Sequence, residues 1–403
     1  MSALGSDPGG DPGSDVVIVG GGIVGAACAY YASRAGLEVT LLERETVGSG
    51  TTSRGEGNIL ISDKSPGPEL ELALYSRTLW LQAAEELGAG PLELEEKGGL
   101  VVATSDAALA DLHAFADQQG GAGVDGHRVA AEQLRDHEPH LAADLPGGVH
   151  YPQDLQVQPV LAAATLVAAA RRHGARVESG VEVTGLERGP DGAIVAVRAG
   201  GRRFPTSAVV NAAGTWGGTV SERLGGPVPV LPRRGFILVT EPLPRVVRHK
   251  VYSADYVSNV ASDDAGLETS VVVEGTQGGT VLIGASRERV GFDDTLSVDV
   301  VRRLATQAVR LFPFLADVAL MRVYRGFRPY CPDHLPVIGP DPRVPGLFHA
   351  CGHEGAGIGL APGTGALVTA MLAGAADHHP VPFDPAPFDP APFAPSRFLE
   401  VAR

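Results

Sequence analysis

The chain has 403 residues, 44% of them hydrophobic, and 47 acidic against 32 basic side chains give it a formal net charge of −15 and an isoelectric point near 5.2. That length suffices for two or three domains or one interrupted pair, and the acidic balance excludes a nucleic-acid partner, because no basic stripe offsets phosphate repulsion. Cys28, Cys331 and Cys351 have no metal-ligand spacing and build no disulfide framework, so no metal is expected and a reducing cytoplasm is the simplest compartment.

Residues 1–14 lack both a basic n-region and an apolar run, so they are expected to form a disordered leader. The stretch DVVIVGGGIVGAACAYYASRAGLEVTLLE then reads as strand, tight turn, helix and second strand, because residues 16–19 are β-branched and residues 26–35 favour helix. Gly20 permits the turn, Gly22 lets the backbone approach a pyrophosphate, and Gly25 lets helix and strand pack closely. The phosphates rest on N–H groups of the helix start at Ile23 and Val24. Glu43 ends the second strand 18 residues after Gly25, near the spacing at which a carboxylate accepts both hydroxyls of an unphosphorylated ribose. These contacts leave NAD and FAD as alternatives.

A loop rich in glycine and hydroxyls at 48–59 faces the cofactor, followed by a helix over 69–87. A strand over 97–105, an amphipathic helix over 106–119 and a return segment over 147–159 read as an inserted layer. An alanine-rich helix over 161–173 precedes short strands with glycine turns, of which 209–214 is a core strand ending in glycine. A second strand-rich block runs over 234–291 and a helix over 298–312. A second glycine-rich turn, GHEGAGIG at 352–359, opens a helix extending through about residue 372. Residues 355–376 carry no charge, but their six glycines and Pro362 argue against a spanning helix and for a loop feeding a buried one, so no transmembrane segment is expected. The proline-rich tail, 377–403, repeats PFDPA and is expected to lie extended on the surface or to be mobile.

At VVNAAGTW (209–216), RGFRPYCPDHLPVIGP (325–340) and GLFHACGHEGAGIGLAPGTGALV (346–368) the chain resembles the D-amino-acid-oxidase-like family of FAD-dependent amine and amino acid oxidoreductases. Its glycine oxidase, hydrogen cyanide synthase and dye-linked proline dehydrogenase groups are the most similar, and the resemblance covers roughly residues 15–375. It implies an α/β (α+β) fold with a Rossmann-like FAD domain from 15–60, 150–220 and 325–376, and a mostly antiparallel substrate domain from 61–149 and 221–324. It implies that Ala213 and Gly214, with Trp216 beside them, pack near adenosine and pyrophosphate, that Val183 borders the adenine, and that Arg44 and Ser53 lie along the cofactor.

The resemblance also puts the turn of Gly352, His353, Glu354, Gly355, Gly357 and Ile358 at the flavin N1–C2=O edge, where a helix end contributes roughly 0.3–2 kcal/mol to an adjacent negative charge. His353 serves there through its backbone, and Glu354 either faces the substrate amine or is solvated. Gly326 stands where relatives with covalent flavin carry cysteine, and Cys331 does not match, so the FAD is expected to be non-covalent. Arg328 matches the family's arginine that holds the substrate carboxylate, a geometry that suits a planar guanidinium. Tyr252, Tyr256 and Tyr330 are candidates for a supporting hydroxyl, with Tyr256 ranked first.

The implied reaction is oxidation of the C–N bond of an amino or imino acid, giving an imine that hydrolyses, with glycine, a D-amino acid or a proline-like compound as substrate. No acid–base residue is demanded. Oxidation of a 2-hydroxy acid and a non-catalytic electron-relay subunit remain as alternatives. Oxygen-using relatives of the sarcosine oxidase type place a lysine over the flavin, but the strand 281–292 holds none. Lys250 is the alternative for that role, and the pattern tilts toward a dehydrogenase with an electron-accepting partner subunit.

Overall fold

The computed structural model describes residues 12–256, 264–375 and 381–399. The first sheet has the order Val337–Pro340, Leu347–Cys351, Arg202–Asn211, Ser14–Val19, Val39–Glu43 and Arg176–Ser179. Its central pairings are parallel, and Ser14–Val19 lies between Val39–Glu43 and Arg202–Asn211. A strand buried on both sides needs an unbroken apolar run, which VVIV supplies. The helix Ile23–Arg34 makes the crossover from Ser14–Val19 to Val39–Glu43. The short strands Val183–Arg188 and Ile194–Ala199 form an antiparallel ribbon with the start of Arg202–Asn211. Most of the leader expected over 1–14 lies outside the described residues, and Ser14 already belongs to the first strand, paired with Thr206.

The second sheet also has eight strands, in the order Leu320–Tyr330, Leu231–Thr240, Val281–Arg287, Glu268–Gly275, Lys250–Ser253, Gly99–Val102, Gly147–Tyr151 and His127–Ala130. All its pairings are antiparallel except Lys250–Ser253 with Gly99–Val102. One face packs Phe236, Leu238, Val273 and Ile283 against Val300, Leu304 and Ala308 of the helix Val298–Leu311. Its other face is turned toward the cleft described below. The fold is therefore a mixed α/β arrangement of a parallel, dinucleotide-type sheet and a mostly antiparallel one.

The helix Gly357–Ala375 starts five residues before Pro362 and contains it, so this proline does not mark a loop as the sequence suggested. Proline lacks the N–H that would bond the Ile358 carbonyl, and Trp80 Nε1 donates to that carbonyl instead, at 3.1 Å. One position on, the Ser76 hydroxyl donates to Gly359 O at 2.6 Å and accepts from Gly363 N at 3.0 Å, bridging the opened ladder. Both side chains come from the helix Pro68–Leu87. By length and composition Gly357–Gly374 is apolar enough to cross a membrane, but 72% of it is buried inside the protein.

Of the tail, residues 381–399 are described, and they are neither extended nor loose on the surface. Phe393 is fully buried, and the ring of Phe383 meets Tyr31 and that of Phe388 meets Tyr75, edge to face. Arg397 bonds Asp333 and the Leu335 carbonyl, fixing the turn that carries His334. Aromatic residues spaced between prolines supplied the buried area that the proline count concealed.

Ser76→Ala leaves Gly363 N–H and the Gly359 carbonyl unpaired in the core, and is expected to destabilise the protein by about 1–3 kcal/mol. Urea unfolding measures this, and an unchanged midpoint would show that the ladder is repaired without the hydroxyl.

Candidate active site

A single elongated cleft with about 1620 Å³ of empty space, its open mouth included, runs between the two sheets. Gly20, at φ +105°, begins its first end. A Cβ on Gly20 would lie 2.6 Å from the Ala212 carbonyl oxygen, and one on Gly25 would lie 1.9 Å from the Gly20 oxygen, so neither position admits a side chain. Gly20, Gly22, Ile23 and Val24 line the cleft, whereas Gly25 lies behind them as a packing residue. The Glu43 carboxylate accepts from Gly21 N at 2.7 Å and Glu45 N at 2.8 Å, which holds it at the cleft wall. The Arg44 guanidinium carbon sits 3.9 Å from the centre of the Trp216 ring. Arg44 and Trp216 border the same end as Val183, Ala213 and Gly214.

Ser53 does not reach the cleft, because its hydroxyl turns back to the carbonyls of Ser49 and Gly50 at 2.9 and 3.1 Å. Its neighbour Thr52 does, accepting from Ile23 N at 3.0 Å. Thr51 lines the cleft as well, and which residues of TTS do so is set by the 3-10 turn Thr51–Arg54 and has no local sequence signal.

The helix Gly357–Ala375 opens on the far end of the cleft, where Gly355, Gly357, Ile358 and Gly326 form the wall. Gly352, at φ +76°, turns the chain into that segment without lining it. His353 and Glu354 line it too, but the buried His353 ring is bonded to Thr364 at 2.9 Å and pushed down to about pKa 3 by burial. A neutral ring held in this way leaves the backbone of His353 as the part presented. A Cβ on Gly326 would lie 2.4 Å from that of Arg54. Two helix N-termini facing one elongated cleft of glycine-lined walls fit a group with a pyrophosphate at one end and a flat electron-accepting ring at the other.

Beyond that ring position the wall is charged. Arg328 is half-buried and its Nη1 donates to Ser286 O at 2.8 Å. Among the described residues no carboxylate forms an ion pair with it. Burial and the neighbouring Arg287 press its pKa below that of an ordinary arginine, against the pull of Tyr256, Glu56 and Glu354. Its cross-strand partner is Arg233, but Arg233 is neutralised by Glu268 at 3.1 Å and Glu354 at 2.5 Å.

Glu354 is therefore not solvated. Both its oxygens are engaged, one by Arg233 and the other by His334 at 3.0 Å. Burial alone would raise its carboxyl, but His334 and Arg233 hold it below the usual range.

Of the three tyrosines only Tyr256 borders the cleft. Tyr252 bonds Ser62 at 2.6 Å, and the Tyr330 hydroxyl accepts from Arg289 at 3.0 Å. Sequence reasoning passed over Glu56 and Asn58, both of which line the cleft. Glu56 Oε1 is buried without a hydrogen-bond partner. Burial, opposed by Lys250 and reinforced by Glu274, lifts this carboxyl above the ordinary range. Lys250 is itself buried, with its ammonium bonded to Glu274 at 3.0 Å and to Asn58. Burial pulls its pKa down, but Glu56 and Glu274 lift it above that of a free lysine. Away from the cleft, ring nitrogens of His137, His150 and His249 lie within 4.8 Å of one another. Burial and the neighbouring imidazoles push His150 down to about pKa 4.

Residues 15–371 match the family described as FAD dependent oxidoreductase, DAO. Glycine oxidase of Geobacillus kaustophilus is 31% identical over 365 residues, spanning 89% of this chain and 92% of the relative. Hydrogen cyanide synthase subunit HcnC of Pseudomonas aeruginosa is 29% identical, with the same coverage of each. The crystal structure of the Geobacillus kaustophilus glycine oxidase superimposes with a TM-score of 0.83 over 96% of this chain and 99% of that one. L-proline dehydrogenase from P. horikoshii, at 22% identity and a TM-score of 0.84 over 96% of this chain and 98% of that one, shares the fold. The chain belongs to the DAO family of FAD-dependent oxidoreductases, and FAD is its cofactor.

Glu43→Ala is expected to raise the Kd for FAD by about tenfold or more, the worth of losing a charge-assisted hydrogen bond. Flavin fluorescence after dilution measures the loss, and full retention would remove Glu43 from the ribose contact.

Proposed function

We propose that this FAD-dependent oxidoreductase oxidises the C–N bond of an amino or imino acid, giving an imine that hydrolyses to a keto acid or aldehyde and an amine or ammonia. The observation that carries this reading is Arg328, a half-buried guanidinium at the cleft wall with one donor spent on Ser286 O and no ionic partner among the described residues. A planar fork left free in a partly dry site matches a carboxylate. That two of the similar proteins are a glycine oxidase and a hydrogen cyanide synthase subunit supports the same chemistry.

When bound, the flavin supplies the two-electron acceptor. The chain supplies position and charge. Arg328 anchors the carboxylate, so the α-carbon is held at one place along the cleft. Glu56 Oε1, buried and unpartnered beside it, accepts a hydrogen bond from the substrate nitrogen and, with its raised pKa, is suited to take the ammonium proton. The Tyr256 hydroxyl borders the same space. Glu354 acts as a positioning residue, because its pairing with Arg233, the cross-strand neighbour of Arg328, cancels that cation's charge.

The cofactor is held without a covalent bond in this reading, since Cys28, Cys331 and Cys351 are buried away from the cleft. Their free thiols accord with a reducing cytoplasm. Lys250 is engaged by two carboxylates and does not border the cleft, which favours an acceptor other than oxygen and a partner subunit that receives the electrons.

Anaerobic titration with amino acids, imino acids and 2-hydroxy acids tests the reaction class. Bleaching of the flavin by an amine substrate with release of amine or ammonia supports it, and bleaching by hydroxy acids alone or by nothing overturns it. Return of the colour on admitting air would mark an oxidase. Arg328→Ala is expected to raise the substrate KM about 30-fold or more with FAD retained, the cost of an unpaired carboxylate. An unchanged KM would remove Arg328 from the site.

A further inference from the structure

Arg287 is 4% exposed, and one of its guanidinium nitrogens, Nη1, is buried with no hydrogen-bond partner. Among the described residues it forms no ion pair, and its one close neighbour of note is the Tyr256 ring, whose centre lies 5.0 Å from its guanidinium carbon. A buried cation left this way is costly, because desolvation is not offset by an opposite charge. The cost is increased by Arg328, close enough for the two guanidiniums to repel.

The backbone aims Arg287 at this place. Strands Glu268–Gly275 and Val281–Arg287 pair from Gly275 to Val272, then shift register before Thr269 pairs with Ser286 and Glu268 with Arg287. Ahead of the shift, Ile283 faces the helix Val298–Leu311. After it, Ala285 packs in the cluster that contains Tyr256, and Arg287 follows on that side. The extra residue of this bulge lies on Glu268–Gly275, across from the end of the strand that carries Arg287. Arg328 lines the cleft and Arg287 lies behind it, over the ring of the cleft-wall residue Tyr256, so two unpaired guanidiniums stand by one stretch of wall and together call for two negative charges.

We propose that Arg287 binds a second carboxylate, so that the substrates are dicarboxylic amino or imino acids, with the α-carboxylate on Arg328 and the distal one on Arg287. This rests on the amine-oxidation reading above and deepens it. Tyr256, which borders the cleft and carries the Arg287 guanidinium over its ring, is the flat wall against which the intervening carbons pack.

The test compares pairs that differ in the second carboxylate: aspartate with asparagine and glutamate with glutamine, in both enantiomers, and iminodiacetate with glycine. The wild-type enzyme is expected to prefer the dicarboxylate in kcat/KM by about 30-fold or more, and Arg287→Leu to abolish that preference while leaving the monocarboxylate within about threefold. Succinate, which cannot be oxidised at a C–N bond, is expected to raise the Tm of the wild-type holoenzyme and not that of Arg287→Leu. Equal loss for both members of each pair would mean that the two arginines share one carboxylate, and no preference in the wild type would mean that Arg287 reads none. Either result overturns the inference while leaving amine oxidation standing, whereas flavin that no amine bleaches removes the underlying reading.

A second inference comes from elsewhere in the molecule. His137, His150 and His249 converge from the helix Leu134–His137, the strand Gly147–Tyr151 and the residue before Lys250–Ser253. Glu138, fully buried, accepts from His249 Nδ1 at 3.0 Å. That bond fixes the tautomer and leaves Nε2 free, the arrangement a carboxylate gives a metal-ligating histidine. We infer that these three imidazoles take a divalent transition-metal ion such as zinc, the ring spacing closing to bonds of about 2.0–2.1 Å by small rotations. Zinc titration of the chelator-treated holoenzyme is expected to find one ion per chain, lost in His150→Ala and His137→Ala with FAD content unchanged. Absence of stoichiometric binding, or binding that survives both substitutions, overturns it.

Discussion

The close packing of the helix Gly357–Ala375 against Ile23–Arg34 is the constraint on which the site depends. A Cβ on Gly365 would lie 2.8 Å from the Ala27 carbonyl carbon, and one on Gly363 would lie 2.8 Å from Leu72. Only glycine lets the three helices approach so closely, and that approach brings two helix N-termini to one cleft. The same packing supplies Ser76 and Trp80 to mend the ladder that Pro362 opens. A strongly apolar segment is thereby made a core element whose first turn is a functional surface.

The charges at the far end of the cleft divide into those the protein neutralises and those it leaves. Arg233 has Glu268 and Glu354, and Lys250 has Glu274 and Glu56. Arg328 and Arg287 have no such partners among the described residues, in a region where an unpaired cation is unfavourable. The neutralised groups act as a frame. They fix side chains around the pocket without drawing anions from solution, so the attraction is concentrated on the two remaining guanidiniums. The described part of the tail extends this frame, since Arg397 holds the turn bearing His334, which in turn holds Glu354.

Much of this was legible along the chain because the responsible interactions are local. The strand, turn and helix around Gly20 and Gly22, the acid at Glu43 and the helix-opening glycines near Gly355 are each set by neighbours within a turn or two. Family resemblance placed Arg328, Tyr256 was ranked first of three tyrosines that could support it, and the structure brings both to the cleft wall. Thr52 in place of Ser53, the helix that contains Pro362 and the buried Phe393 were not legible, because each depends on a partner far away in sequence.

The sequence by itself determined the dinucleotide turn, since short-range backbone geometry sets it, and its family resemblance supplied the α/β class, FAD and the candidate carboxylate anchor. Only the tertiary structure decided which charges stay unpaired. Arg287 meets the Tyr256 ring from a strand further along the chain, and the ion pairs of Arg233 and Lys250 join residues 24 to 194 positions apart. Charge compensation is a property of distances in space, and no pattern along a single strand encodes it.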